Sequence, residues 1–537
     1  MWAEKKKERE SKLQKPYFLG IDAGTTNIKA SFMDLNFCLI DEEKQNVSVF
    51  APFPGASEID MNDYWERMCA VTRALKARNA HLWGELAGVG ITGQGDGLWP
   101  IDENGFPVRH AMLWNDTRSK CMDFDGDALY DAAVRDYANI VYAGSVAALL
   151  KWMKIFEPEN FRRIKWALHC KDWLNYKLTG RVHTDFTDAG TSLFNVLTGE
   201  YSKEILDVLE LSECRDILPD IVDSTAIIGP VTPEAAESTG ICAGTPVAEG
   251  AVDVCTAALG NDIGSSGKAC TIIGTTLGNE MVVEPENIDP KEKRGLLMRH
   301  IVPGTYIWIM PTLSGASTMD FVKSMLFPEV SYPALEEELE RLPIGCGGLI
   351  YQPYIYGERA PFQNPFATGG FCGLTYGHTK LDLMRSVFEG LAYSFYDCYQ
   401  VFTQDFDILY LSGGASVSDM VCRMFCDVMG KEARRIETKE TGALGIIRIL
   451  QVALGYAESF ADFPEQKAKV FMPDMQRHMQ YMEAFQLFAA LRNSMEGFWS
   501  HREKSMKLFR EERTPPIMTS KSGRVMFQCV SGAGLRS

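Results

Sequence analysis

Residues 17–35, YFLGIDAGTTNIKASFMDL, are the stretch from which the fold is read. An apolar run ends at Asp22, a Gly-Thr turn follows, and Ile28, Ala30 and Phe32 then alternate with polar positions, the period of a strand. The segment predicts a β-hairpin with a polar tip. In a turn such as Asp22-Ala-Gly-Thr-Thr-Asn27, successive N–H groups and hydroxyls point to one side, and Gly24 permits close approach, which suits phosphate oxygens. Asp22, at the end of its strand, is placed to hold Mg²⁺ through water. A hairpin that merely favours Gly and Thr is the alternative for a lone copy.

The copy is not alone. GKACTIIGTTLGNEMVVE, residues 267–284, repeats the pattern, so that Gly274-Thr275-Thr276 mirrors Gly24-Thr25-Thr26 across 250 positions. That spacing points to a duplicated architecture rather than a short-period array. A third turn, Leu411-Ser-Gly-Gly-Ala415, lies between a strand over Ile408–Ser412 and a helix over Asp419–Met429. A helix opening behind glycines favours anionic groups. Three such turns together suggest a bound nucleotide.

The chain carries 54 Lys+Arg against 71 Asp+Glu in 537 residues, a formal net charge of −17. Phosphate backbones are bound by clustered positive charge, so a nucleic-acid partner is excluded. Single cores stop growing beyond roughly 250–300 residues, which predicts two large domains. The boundaries are drawn as a charged leader (1–15), an N-terminal domain (16–262), a C-terminal domain (263–500) and a poorly ordered tail (501–537), the aperiodic part starting near Thr514. The 14 Cys form no CxxC pair, there is no secretory apolar segment, and no run nears the ~18 apolar residues of a membrane span. The expectation is a cytoplasmic chain with no membrane partner. Further elements read as helices over Asn62–Arg78, Ala147–Phe156, Ile164–Leu178, Ala334–Leu342 and Leu381–Gln400, and a strand over Ala87–Thr92.

Two patterns mislead. Gly88-Val-Gly-Ile-Thr-Gly93 satisfies GxGxxG, but it lies within a strand rather than between a strand and a helix. Gly267-Lys268 is followed by Ala269 and preceded by Asp262 where a P-loop needs Ser/Thr and Gly. The eight His show no metal-ligand spacing, so no zinc site is expected.

The stretch Thr92-Gly-Gln-Gly-Asp-Gly-Leu-Trp99 offers the amide of Gln94 and the carboxylate of Asp96, and Leu113-Trp-Asn-Asp-Thr-Arg118 adds Trp114, Asp116 and Arg118. Amides and carboxylates suit a polyhydroxylated ligand and an aromatic face covers its C–H groups; loops with caps are the alternative. Asp253 lies in a mostly apolar, strand-like stretch beside the domain boundary, where partial desolvation would raise its pKa toward that of a general base. The alternative is a cap on a helix over Val254–Leu259.

These residues resemble the FGGY carbohydrate kinases. Gly369-Gly-Phe-Cys-Gly-Leu374, seven residues, then Asp382-Leu-Met-Arg-Ser-Val-Phe-Glu389 fits the family's C-terminal signature, with Glu358-Arg-Ala-Pro361 and Gly413-Gly-Ala415 around it. The resemblance runs from Tyr17 to about residue 460. It implies an α/β fold of two ribonuclease H-like domains, of the actin, hexokinase and heat-shock chaperone type, flanking a nucleotide- and substrate-binding cleft. It also implies ATP and Mg²⁺ as cofactors. Asp22, Gly24, Thr25, Thr26 and Lys29 match the first phosphate motif, with Asn27 completing the turn, and Gly274 and Thr275 match the second. Gly315, Gly414 and Ser418 match positions lining the nucleotide, Asp253 matches the catalytic base, and Trp114, Asp116 and Arg118 match the motif after the substrate loop. Where xylulose kinases carry Met-His and glycerol kinases Arg-Glu, this chain has Gly95-Asp96; GQGDGLW with LWNDTR looks most like erythritol kinases, then L-xylulose kinases.

The expected reaction is transfer of the ATP γ-phosphoryl group to a terminal hydroxyl of a small polyol or ketose, with Asp253 taking the hydroxyl proton. A D-xylulose or glycerol-type kinase of the same family, or a sugar-sensing pseudokinase, stands as the alternative. A chaperone is disfavoured because no peptide-binding β-domain follows. Oligomeric state stays open, a homodimer included.

Overall fold

The computed structural model describes residues 15–122, 124, 126–437 and 440–511. Nearly all of the expected leader, and the tail from Thr514, lie outside the described residues. Two sheets organise the chain. The first is built from β1 (Tyr17–Ala23), β2 (Asn27–Asp34), β3 (Leu39–Asn46), β4 (Leu86–Gly93), β5 (Ile227–Pro230) and β6 (Pro246–Val252), in the order β5-β6-β4-β1-β2-β3. β1, β2 and β3 form an antiparallel meander, β4 and β6 run parallel to β1, and β5 closes the edge antiparallel. Between β3 and β4, the helix α1 (Met61–Arg78) is started by Asp60, whose carboxylate accepts from Asn62 N and Asp63 N. It buries Tyr64, Met68, Val71 and Leu75, one stripe at helical spacing, against this sheet. A second helix, α2 (Cys170–Thr179), starts beside the ends of β1 and β4, and α3 (Asp253–Gly260) follows β6 directly.

The second sheet repeats the plan. β7 (Lys268–Ile273), β8 (Leu277–Val283), β9 (Leu296–Arg299), β10 (Tyr306–Pro311), β11 (Ile408–Ser412), β12 (Glu432–Ile436) and β13 (Ala468–Phe471) lie in the order β9-β10-β8-β7-β11-β12-β13. Here β7, β8 and β10 form the meander, β11 and β12 are the parallel strands, β13 the antiparallel edge, and β9 is an addition. The two Gly-Thr-Thr turns occupy equivalent places, each joining the first and second strands of its sheet. The expected duplication is therefore structural. Helices α4 (Ala316–Leu326), α5 (Lys380–Tyr399), α6 (Asp419–Met429), α7 (Thr441–Ala453) and α8 (Met475–Glu511) complete this half.

The two halves are tied together across residue 262. α7 lies late in the chain yet packs on β1, β4 and β6 of the first sheet and against α3. The contact is close because both helices present glycine: a Cβ on Gly260 would lie 1.9 Å from the Thr441 carbonyl oxygen, and one on Gly445 would lie 2.0 Å from that of Thr256. The misleading GxGxxG serves the same packing. A Cβ at Gly90 would meet Ile446 of α7 at 2.9 Å, and one at Gly88 would meet Leu454 at 2.8 Å.

Two expectations need correction. The run Ile164–Leu178 is not one helix, because Trp166–Leu168 is a strand paired with Trp99–Ile101 and α2 begins only at Cys170. The boundary at 500 falls inside α8, which runs to Glu511 and buries Tyr481, Phe488 and Trp499 in the second core. Among the described residues no helix is long and apolar enough to cross a membrane.

Candidate active site

The register of β1 and β2 pairs Ala23 with Ile28 and leaves residues 24–27 as the turn, closed by Gly24 N–H donating to Asn27 O at 3.1 Å. Tyr64 of α1 donates to Gly24 O at 2.9 Å and pins the turn from behind. The turn lines a cleft of about 390 Å³ with Asp22, Lys29 and Thr92 on one side, Asp253, Val254 and Ala257 of α3 beside them, and Ile272, Glu440, Thr441 and Gly442 from the second half. Asp22 and Asp253 thus share one cleft although 231 positions separate them. Lys29 also lines it and is ion-paired with Glu440.

Asp253 is the first residue of α3, immediately after β6, with Val252 rather than Asp253 at the cap position. Its Oδ1 accepts from Val254 N at 2.7 Å. Burial, and then the charge of Asp22, push its carboxyl up to about 7, well above an ordinary aspartate. Asp22 is raised by burial too, with Lys29 opposing. Among the described residues no donor bonds the Asp22 carboxylate, a hard oxygen donor facing the cleft.

In the second half, Gly274, Thr275, Gly315, Gly414 and Ser418 gather at the carboxyl end of the second sheet. Ala316 N donates to Gly274 O at 2.7 Å, Ser317 Oγ donates to Thr275 O at 2.7 Å, and a Cβ on Gly315 would lie 2.5 Å from the backbone of Thr276. β7 and β11 are parallel neighbours, so the Gly413 turn, with φ +86°, sits directly against Ile273. Gly414 faces open space, whereas Ser418 caps α6 by accepting from Val421 N. These positions are near one another but do not line the cleft that holds Asp253. Ile272, just before the turn, connects the two.

The loop after β4, read as a ligand surface, is held by internal hydrogen bonds. Asp96, in the left-handed region at φ +57°, is 3% exposed. Its carboxylate already accepts from Val146 N, Thr191 Oγ1 and the hydroxyl of Tyr142. Asp96 therefore positions Tyr142, a residue the sequence reading did not single out. Asp116 is fully buried, accepting from Ser57 N at 2.8 Å and from Arg118, whose guanidinium also reaches Glu58 at 2.5 Å. That pair locks the loop from within. Trp114 is the member that reaches toward the cleft: its Nε1 donates to Thr25 Oγ1 at 3.1 Å, and Thr25 Oγ1 donates to Gln94 Oε1 at 2.9 Å. The buried Gln94 Nε2 has no partner.

Behind this loop lies a second unforeseen feature. Lys171, wholly buried, sits 2.7 Å from Asp172 and Glu249, 3.1 Å from Asp185 and 3.4 Å from Asp188. The charge of Asp188 and the bond to Asp172 raise His169 to about 9 against its burial. Liganding atoms of His169, Asp172 and Asp188 cluster within 4.8 Å, but the Lys171 ammonium supplies the positive charge there. Its members are scattered from 169 to 249, so no local spacing announces them.

Among known proteins, the FGGY family of carbohydrate kinases matches in two parts, its N-terminal domain over residues 17–260 and its C-terminal domain over 300–454. The chain is 29% identical to an erythritol kinase of Brucella abortus, covering 90% of this chain and 96% of that one. It is 27% identical to an L-xylulose/3-keto-L-gulonate kinase of Escherichia coli, covering 90% and 98%. In fold it is similar to a ligand-bound xylulose kinase of Lactobacillus acidophilus, with a TM-score of 0.84 at 22% identity over 90% of this chain and 99% of the other.

Proposed function

Because this chain belongs to the FGGY family of carbohydrate kinases, ATP-dependent sugar phosphotransferases, we propose that its acceptor is a small polyol or ketose, erythritol or L-xylulose first, phosphorylated on a terminal hydroxyl with Asp253 as general base. The observation that carries the reading is the shared cleft of Asp22 and Asp253, with the Asp253 carboxyl raised to about 7. A sugar hydroxyl is a weak nucleophile, so a carboxylate that takes its proton near neutral pH, held in line with the phosphoryl group, is what the chemistry needs.

The turn at Gly24, Thr25, Thr26 and Asn27, with Lys29, cradles the transferred phosphates through the backbone N–H groups of Thr25 and Thr26, since Gly24 N–H closes the turn and the Thr25 hydroxyl is already engaged by Gln94 and Trp114. Gly274, Thr275, Gly315, Gly414 and Ser418 hold the rest of the nucleotide. The unbonded carboxylate of Asp22 fits Mg²⁺, which when bound neutralises phosphate charge. Gln94, Trp114 and Tyr142 receive the acceptor, with Asp96 orienting Tyr142. Closure of the two halves excludes water, which would otherwise compete as acceptor.

The domain division at 262 and the cytoplasmic setting belong to the same proposal; the latter is supported by the described cysteines, all of them free thiols. D-xylulose is the second reading of the acceptor, supported by 28% identity over 89% of this chain to a xylulose kinase of Staphylococcus epidermidis. A screen of C3–C6 polyols and ketoses for ADP release tests the proposal. Strong release with erythritol or L-xylulose is expected, and release that no acceptor stimulates would contradict it.

A further inference from the structure

Arg359 belongs to the second half, in the turn after Tyr354, yet its charged end lies against the first. Glu358, 1% exposed, anchors the turn by accepting from Leu313 N at 2.8 Å and Arg359 N at 2.9 Å through Oε1. The Arg359 Nε donates to Pro311 O, the last residue of β10, at 3.1 Å. These two anchors aim the guanidinium out of the second half, and its central carbon stands 5.8 Å from the centroid of the Trp114 ring. Burial disfavours its cationic form, and the nearby carboxyls of Glu358 and Asp96 oppose that effect. Among the described residues neither Nη nitrogen has a hydrogen-bond or ion-pair partner.

A planar fork of donors, stacked on an aromatic face and left without acceptors, is built to receive oxygen atoms that are not part of the protein. We propose that Arg359 binds the acceptor across the cleft, its Nη groups donating to hydroxyl or carbonyl oxygens at the end of the acceptor remote from the hydroxyl that faces Asp253. The inference rests on the proposed kinase reading of this cleft. The second half then contributes to acceptor specificity as well as to nucleotide binding, and an acceptor long enough to engage Arg359 ties the two halves together. On this proposal a three-carbon acceptor engages Asp253 without reaching Arg359.

The test compares acceptor lengths in the full chain. Arg359→Met keeps the stem over Trp114 but removes the fork. It should raise KM for erythritol or L-xylulose about 10- to 50-fold, leave KM for ATP unchanged, and leave KM for a three-carbon acceptor such as glycerol unchanged. Arg359→Lys, which keeps the charge without the fork, should fall between, and it carries the same comparison if the Met variant does not fold. An equal rise for glycerol and the longer acceptors would make Arg359 a support for Trp114 only and overturn the proposal, as would an unchanged KM for all. Wild-type protein that turns over no acceptor would instead refute the kinase reading, and this inference with it.

Discussion

The indole Nε1 of Trp114 donates to the Thr25 hydroxyl at 3.1 Å, so the loop proposed to receive the acceptor is tied directly to the turn proposed to cradle phosphate. Thr25 passes the bond on to Gln94. Replacing Thr25 with Val cuts both bonds without changing the turn backbone. A buried hydrogen bond of this type contributes roughly 1 kcal/mol. KM for ATP and for the acceptor should therefore rise together, by about 5-fold each, while Thr25→Ser stays near wild type. Steady-state kinetics with each substrate varied checks this; a change confined to ATP would show that the link is incidental.

The Asp253 carboxyl, raised from 3.8 to about 7, must be ionised to accept a proton. Its pKa is raised, so acid keeps it protonated and inactive. The acceptor kcat/KM should fall about tenfold per pH unit below 7 and level off above it. A profile flat from pH 5 to 8 would remove Asp253 from the role of base.

Lys171 is the cation around which Asp172, Asp185, Asp188 and Glu249 are buried. Removing one partner of a buried ionic cluster costs about 3–5 kcal/mol, because the opposite charges remain without compensation. Lys171→Met should lower thermal stability by that amount, and adding Glu249→Gln should restore part of it. Calorimetry on the single and double variants reads both effects; a single variant as stable as wild type would mean that the carboxyls are neutral without the lysine.

Gly445 and Gly414 make a matched pair. A Cβ at 445 would stand 2.0 Å from the Thr256 carbonyl oxygen, whereas one at 414 meets nothing within 4 Å. Gly445→Ala should destabilise the protein by about 1–3 kcal/mol through the α3–α7 contact. Gly414→Ala should leave the melting temperature unchanged and raise KM for ATP. Reversal of this pattern would contradict both assignments.

The hairpins and their turns were legible in the sequence because each is local: a period of two and a Gly-Thr turn between two strands. The C-terminal signature from Gly369 to Glu389 placed the family for the same reason. What escaped is what the fold assembles from distant parts. Trp166–Leu168 reads as a turn of helix until its partner, Trp99–Ile101, is known. α7 is apolar on most sides, and nothing in Thr441–Ala453 says that it packs on strands more than 350 residues earlier. Asp96 reads as a ligand because it stands in a polar loop; that Tyr142, Val146 and Thr191 donate to it is tertiary and was not legible. Arg359 was visible only as a letter of a motif; its place over Trp114 is tertiary.

The central claim is that Asp253 accepts the acceptor's proton in a cleft that holds ATP by other residues. Asp253→Asn preserves shape and one hydrogen-bond acceptor while removing the base. Phosphoryl transfer and ATP binding should be measured on the same preparation. The account predicts kcat down by about 10²–10⁴-fold with ATP affinity within a few-fold of wild type. Transfer near the wild-type rate would contradict it.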